Sequence, residues 1–177
     1  MIVLYHYEPS STSSQKVRLC LSYKNLVYTS KNINLECAEH LENEYLKVNR
    51  HGLLPIIVHN GNKIRESNFI NEYLDKVYPE KSLVPKNAVD FNFMQYLCKQ
   101  QEYLNENCLR YYSYISSNRI ELIDNKWLKE HPQLDRRKFL RLVKYGLTKQ
   151  DLHEIDNYLI NELNFINSIL EKTLALW

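Results

Sequence analysis

Residues 53–67 read LLPIIVHNGNKIRES, and they contain an apparent contradiction. Ile56, Ile57 and Val58 have the β-branched, apolar character of a buried strand, yet Pro55 stands at its head. Proline has no backbone N–H to give to a sheet, so within sheets it is confined to edges, bulges and first positions of strands. Asn60-Gly61 follows, a hairpin signal because both central residues of a type I′ turn need positive φ. The stretch therefore predicts a strand over 55–60, a two-residue turn and an antiparallel strand over 62–66. Ser67 is expected to cap a helix whose Ile70, Tyr73, Leu74 and Val77 follow the i, i+3, i+4, i+7 rule.

Upstream, IVLYHY (2–7) reads as a strand and EPSSTSS (8–14) as a loop dense in hydroxyls. Val17, Leu19, Cys20, Leu21 and Tyr23 predict a helix over 15–25, capped by the preceding serines. Residues 26–35 alternate as a second strand, and 38–48 form a weakly amphipathic helix. The order is βαβ, then α, then ββα. Pro79 to Pro85 is a break rich in turn formers. We place a first domain at 1–79, a linker at 80–87 and an all-helical domain at 88–177. Within that domain a helix is expected over 88–116, and 118–127 reads ambiguously. A further segment begins at Pro132 and ends at Gly146. The last helix is capped by Thr148 and carries Leu152, Ile155, Leu159, Leu163, Ile166 and Leu170 on one stripe.

Composition narrows the function classes. The chain has 177 residues, 44% of them apolar, and a formal net charge of +2. No basic footprint for nucleic acid appears. Cys20, Cys37, Cys98 and Cys108 include no C-x-x-C pair or Cys/His cluster, which argues against a metal site. No signal peptide and no membrane span are evident, so a cytoplasmic protein with reduced thiols is expected. Three glycines in the whole chain suit a helix-rich fold better than a turn-rich all-β one.

A βαβ–α–ββα unit is the thioredoxin-like fold, in which a cis proline precedes the third strand. At Pro55 the cis form would turn the backbone N–H and C=O of Leu54 outward, toward an extended peptide that pairs as an added strand. Glu66 and Ser67 fall where helix N–H groups and the helix dipole favour a carboxylate. Ser67 can donate to that carboxylate while Glu66 accepts from an ammonium. A peptide edge followed by an amino-acid head site describes γ-glutamyl-cysteinyl-glycine.

LYHY, SSTSSQKVR, HLENEYLKVN, LLPIIV and RESNFINEYL, in this order and spacing, resemble the N-terminal domain of glutathione transferases. HLENEYLKVN is similar to the theta and zeta classes, and the hydroxyl-rich loop to the zeta and omega classes. LYHY, SSQKVRL and the run from HPQLDRRKF to INSILEKTL resemble the ganglioside-induced differentiation-associated branch, which has a longer helical connection in its C-terminal domain. Some members of that branch are membrane-anchored adaptors, and no anchor is expected here. Relatives continue past the last helix into a further helix with a Ser/Thr-x-x-Asp box. No such box follows here, so the helical domain is expected to be incomplete and its apolar stripe to need cover.

The resemblance implies glutathione as co-substrate, no metal, and a homodimer. It places a catalytic serine at Ser11, with Ser10 and Ser13 open because the loop carries one extra residue. It places His40 at the glycine end of glutathione, and Leu54, Pro55, Glu66 and Ser67 along the rest. A Ser11 hydroxyl donating to the glutathione sulfur, aided by the first helix dipole, would favour the thiolate that attacks a small electrophile. A zeta-like isomerase is a variant of this reading; a non-catalytic glutathione-binding or protein-interaction module is the alternative. Leu53 and Asn49-Arg50 depart from the family pattern. The loop serines also serve as plain helix caps, Cys20 reads as core, and Cys98, Cys108 and the tyrosines of YYSY (111–114) more often pack than bind.

Overall fold

The computed structural model describes residues 1–8, 11–104 and 125–174, excepting the side chains of 125–127 and 172–174. Ser10, Cys108 and YYSY (111–114) lie outside the described residues. Four strands come first: β1 (Ile2–His6), β2 (Tyr28–Asn32), β3 (Ile56–His59) and β4 (Asn62–Arg65). They form one sheet in the order β2-β1-β3-β4. β1 runs parallel to β2 and antiparallel to β3, and β3 is antiparallel to β4. α1 (Thr12–Tyr23) makes the crossover between β1 and β2, and α2 (Asn43–Val48) precedes β3. α3 (Ser67–Val77) follows β4. This is the thioredoxin-like arrangement expected from the sequence.

The hairpin forms as its chemistry requires. Asn60 and Gly61 sit at φ 50° and 81°, and His59 pairs with Asn62 across the turn. Alternation along β1 turns Ile2 and Leu4 to one face, where α1 and α3 cover them. Val17, Cys20 and Leu21 from α1 meet Ile70 and Leu74 from α3 and Ile57 from β3. Each such side chain withdrawn from water contributes about 1.5–3 kcal/mol. Cys20 is thus core, and burial pushes its thiol up to about 11.

Several boundaries differ from expectation. α1 begins at Thr12 rather than 15, because the Ser11 hydroxyl accepts from Ser14 N–H at 3.2 Å and draws the intervening residues into the first turn. β2 covers 28–32 rather than 26–35, since Leu26 N–H is taken by the Leu21 carbonyl behind α1. Ser67 does not cap α3. It is the first helical residue, and Glu66, at φ 63°, holds the cap position without a side-chain bond.

The remaining helices are α4 (Ala88–Leu104), α5 (Asn125–Glu130), α6 (Leu134–Tyr145) and α7 (Lys149–Leu174). α6 stops at Gly146, as expected. Contrary to the expectation that the chain lacks a Ser/Thr-x-x-Asp box, Thr148 and Asp151 form one at the head of α7: Asp151 N–H donates to the Thr148 hydroxyl at 3.1 Å, and Thr148 N–H donates to the Asp151 carboxylate at 2.7 Å. Tyr96 meets Phe165, and Tyr103 meets Tyr158, with ring centroids 6.1 and 5.1 Å apart. This register makes α4 and α7 antiparallel neighbours. α5 and α6 instead pack on the first 52 residues: Leu128, Phe139, Leu140 and Val143 share a core with Ala38 and Leu41. Among the described residues, no helix is long and apolar enough to cross a membrane.

Candidate functional site

The Leu54–Pro55 bond is cis. Pro55 precedes the first β3 residue, so its missing N–H costs the ladder nothing. The loop before it is tied down through Leu53, whose carbonyl accepts from the buried Tyr45 hydroxyl at 2.5 Å and from Asn49 Nδ2 at 2.7 Å. The neighbouring Leu54 N–H and C=O pair with no group of the described protein. They form a short open backbone edge, half-buried beside the sheet.

An open cleft of about 320 Å³ lies where the N-terminal ends of α1 and α3 approach α4. Ser13 and Lys16 line it from α1, Glu66, Ser67 and Phe69 from the start of α3, and Gln101 and Glu102 from α4. Neither helix has an acidic residue in its first turn, so the partial positive charge of both N-termini is unopposed from within. The first N–H groups of such helices are natural anion ligands.

Lys16 is braced between elements. Its ammonium donates to Asn68 Oδ1 at 2.5 Å and Gln101 Oε1 at 2.7 Å. Asn68 Nδ2 in turn donates to Glu102 at 2.5 Å. Burial lowers the Lys16 pKa, with Cys98 and the Glu102 carboxylate acting against it. Sequence reasoning missed Lys16, Phe69, Gln101 and Glu102. The i, i+3 spacing of Ser13 and Lys16 puts both on one helix face, which was a usable signal. Nothing local pointed to Gln101.

The structure thus brings Ser13, Glu66 and Ser67 together, and sets Leu54 and Pro55 at the head of the adjoining strand. Ser11 is not among the residues lining the cleft; it is the half-buried cap of α1. His40 is elsewhere again. It sits buried in a single 3-10 turn, Glu39–Leu41, with its ring 5.9 Å from that of His131. Gly52, at φ 61°, packs into the same junction, where a Cβ would come within 3.4 Å of Pro132. The segment entering α6 therefore packs beside His40. Among the described residues, no group of three or more His, Cys, Asp or Glu is placed to hold a metal.

Comparison with known proteins agrees with this architecture. Residues 4–82 match the family model of the glutathione S-transferase N-terminal domain. The chain is 37% identical to Glutathione S-transferase 1 of Dianthus caryophyllus over 84 residues, 48% of this chain and 38% of that protein. It is 34% identical to the human ganglioside-induced differentiation-associated protein 1-like 1 over 83 residues, 47% of this chain and 22% of that protein. The chain therefore spans well under half the length of these two relatives. Among solved structures, a glutathione transferase homologue from Drosophila mojavensis with bound glutathione superposes with a TM-score of 0.60 at 28% identity, covering 64% of this chain and 52% of that one. The N-terminal unit, residues 4–82, is thus of the glutathione transferase N-terminal type in sequence and in fold.

Proposed function

We propose that this chain binds glutathione and favours its thiolate for attack on a small electrophile. The observation that carries the reading is the unpaired backbone of Leu54, leading into the strand next to a cleft formed by two helix N-termini. The cysteinyl backbone of the tripeptide pairs with Leu54 as an added strand. The γ-glutamyl head enters the cleft, its carboxylate toward Ser67 and the start of α3, its ammonium toward Glu66. That pose directs the sulfur to the N-terminus of α1, where a serine hydroxyl and the helix dipole favour the ionised form. Ser11 and Ser13 both belong to that end, with Ser10 adjoining them in sequence. Residues 1–79 act as the glutathione domain, 80–87 as the linker and 88–177 as the helical domain, and the family habit of pairing suggests a homodimer.

A second reading keeps glutathione binding without catalysis. The burial of His40 against His131 favours it, because the glycine end then lacks the contact the family resemblance assigns there.

Calorimetric titration with glutathione, followed by the ultraviolet thiolate absorbance of the bound ligand, tests both. Affinity with a thiolate signal that disappears on substitution of one loop serine supports the enzyme. Affinity without thiolate selects the binding module. No affinity at millimolar glutathione refutes both.

A further inference from the structure

The outward face of α6 concentrates positive charge in a chain whose formal net charge is only +2. Residues 128–149 hold seven Lys or Arg against two Asp or Glu. The helix is fixed from behind, where Phe139, Leu140 and Val143 enter the core shared with Ala38 and Leu41. Its other side carries Leu134, Lys138, Arg141 and Tyr145 at i, i+4, i+7 and i+11, one line along the helix, with Leu142 beside it. Leu134 is 66% exposed and Tyr145 72%. Lys138 meets an acid only in Asp135, 3.9 Å away with both side chains in open solvent, a contact that neutralises little. The side chains of Arg141, and of Lys149 at the head of α7, are exposed and have no hydrogen-bond or ion-pair partner among the described residues.

A cation in the last turn suits the helix dipole, but this accounts for Lys144 alone. It gives no reason for three exposed apolar side chains set among cations. That mixture fits the surface of an anionic bilayer. The ammonium and guanidinium groups meet lipid phosphates and carboxylates, while Leu and Tyr side chains enter the boundary between headgroups and acyl chains. A nucleic acid would satisfy the charge and leave both leucines in water. We propose that the outward face of α6 docks this chain on an anionic membrane, lying on the surface rather than spanning it. The face shares no residue with the cleft between α1, α3 and α4, so the proposal stands apart from the glutathione reading.

Co-sedimentation of the whole chain with vesicles tests it. One set of vesicles is phosphatidylcholine alone; the other contains about one-third phosphatidylserine. Wild type is expected to bind the anionic set about tenfold or more tightly than the neutral set, and to lose that preference near about 1 M salt. Lys138→Gln with Arg141→Gln should weaken binding to the anionic set about tenfold. Leu134→Ser with Tyr145→Ser should weaken it about fivefold while leaving retention on single-stranded RNA unchanged. Where a pair does not fold, as judged by its unfolding midpoint, Arg141→Gln or Tyr145→Ser alone replaces it, with about threefold weakening expected. A wild type that does not bind anionic vesicles overturns the proposal. Binding that the charge substitutions leave unchanged places the contact on another face and also overturns it. So does weakening by the charge substitutions without weakening by the apolar ones, which makes α6 a general polyanion surface.

Discussion

Lys24 Nζ lies 2.6 Å from Asp75 Oδ1, with the two side chains 1% and 10% exposed. Lys24 also donates to the carbonyls of Tyr78 and Lys81 at 2.9 and 2.8 Å. Asp75 accepts from Leu83 N–H at 2.7 Å and the Ser82 hydroxyl at 2.9 Å. One buried ion pair thereby joins the end of α1, the last turns of α3 and the chain that leads toward α4. Every donor of the ammonium is used, which is what makes burial of the charge tolerable.

Removing one partner strands the other. Lys24→Met is expected to destabilise the fold by about 3–5 kcal/mol, measured by urea unfolding, because Asp75 remains buried without its counter-charge. Lys24→Met with Asp75→Leu should recover a large part of that loss. A double variant no more stable than Lys24→Met alone contradicts the account.

The same pair sets an acid limit. Burial by itself would raise the Asp75 pKa, but the bonds from Lys24, Leu83 N–H and Ser82 outweigh it and hold the carboxyl below its ordinary value. The folded state therefore binds its proton less readily than the unfolded chain, whose Asp titrates near about 3.9. Stability from this group is complete above that pH and is lost as pH falls through the lower folded value. Unfolding midpoints of wild type and the double variant should converge as pH drops below about 4.

His131 works in a higher window. Its burial, with the Arg136 and Arg137 guanidiniums nearby, pushes the imidazole down to about 4. Between that value and the ordinary ~6.5 the unfolded chain binds the extra proton, so stability falls as the solution is acidified from 6.5 toward 4. The loss is on the order of 3 kcal/mol. Melting curves from pH 7.5 to 4.5 should show it, and His131→Gln should flatten that slope.

Gly52 and Gly61 separate crowding from backbone strain. Both have positive φ, where an L side chain costs about 1–2 kcal/mol. A Cβ at Gly61 meets nothing within 4 Å, whereas at Gly52 it comes to 3.3 Å from the His40 carbonyl oxygen and from Leu41. Gly52→Ala should therefore lower stability by more than Gly61→Ala. Equal losses would mean that the junction beneath α6 yields freely.

Ser11 carries a cap and a candidate donor in one hydroxyl. Ser11→Ala should cost about 1 kcal/mol, from the lost bond to Ser14 N–H, and Ser11→Gly only a few tenths. If Ser11 is also the thiol donor, both variants lose the thiolate signal of bound glutathione to the same degree. A thiolate signal that survives in Ser11→Gly and vanishes in Ser13→Ala moves the donor to Ser13.

The features legible in the sequence are those in which a residue constrains its close neighbours. Asn60-Gly61 dictates a turn through its own φ preferences, and the spacing of Ile70 and Leu74 dictates the buried face of α3. Pro55 at the head of β3, Gly146 at the end of α6 and the Thr148 cap of α7 are of the same kind. Tertiary structure alone decided what each of these faces met. Lys16 reaches Asn68 and Gln101 across 52 and 85 residues of chain, and His40 meets His131 from another element altogether. Hydrogen-bond preference and apolar period act over a few residues, so they announce helices, turns and strands. Which polar groups meet in a cleft, and which histidine is sealed away, follow from how distant segments pack, and no local pattern encodes that.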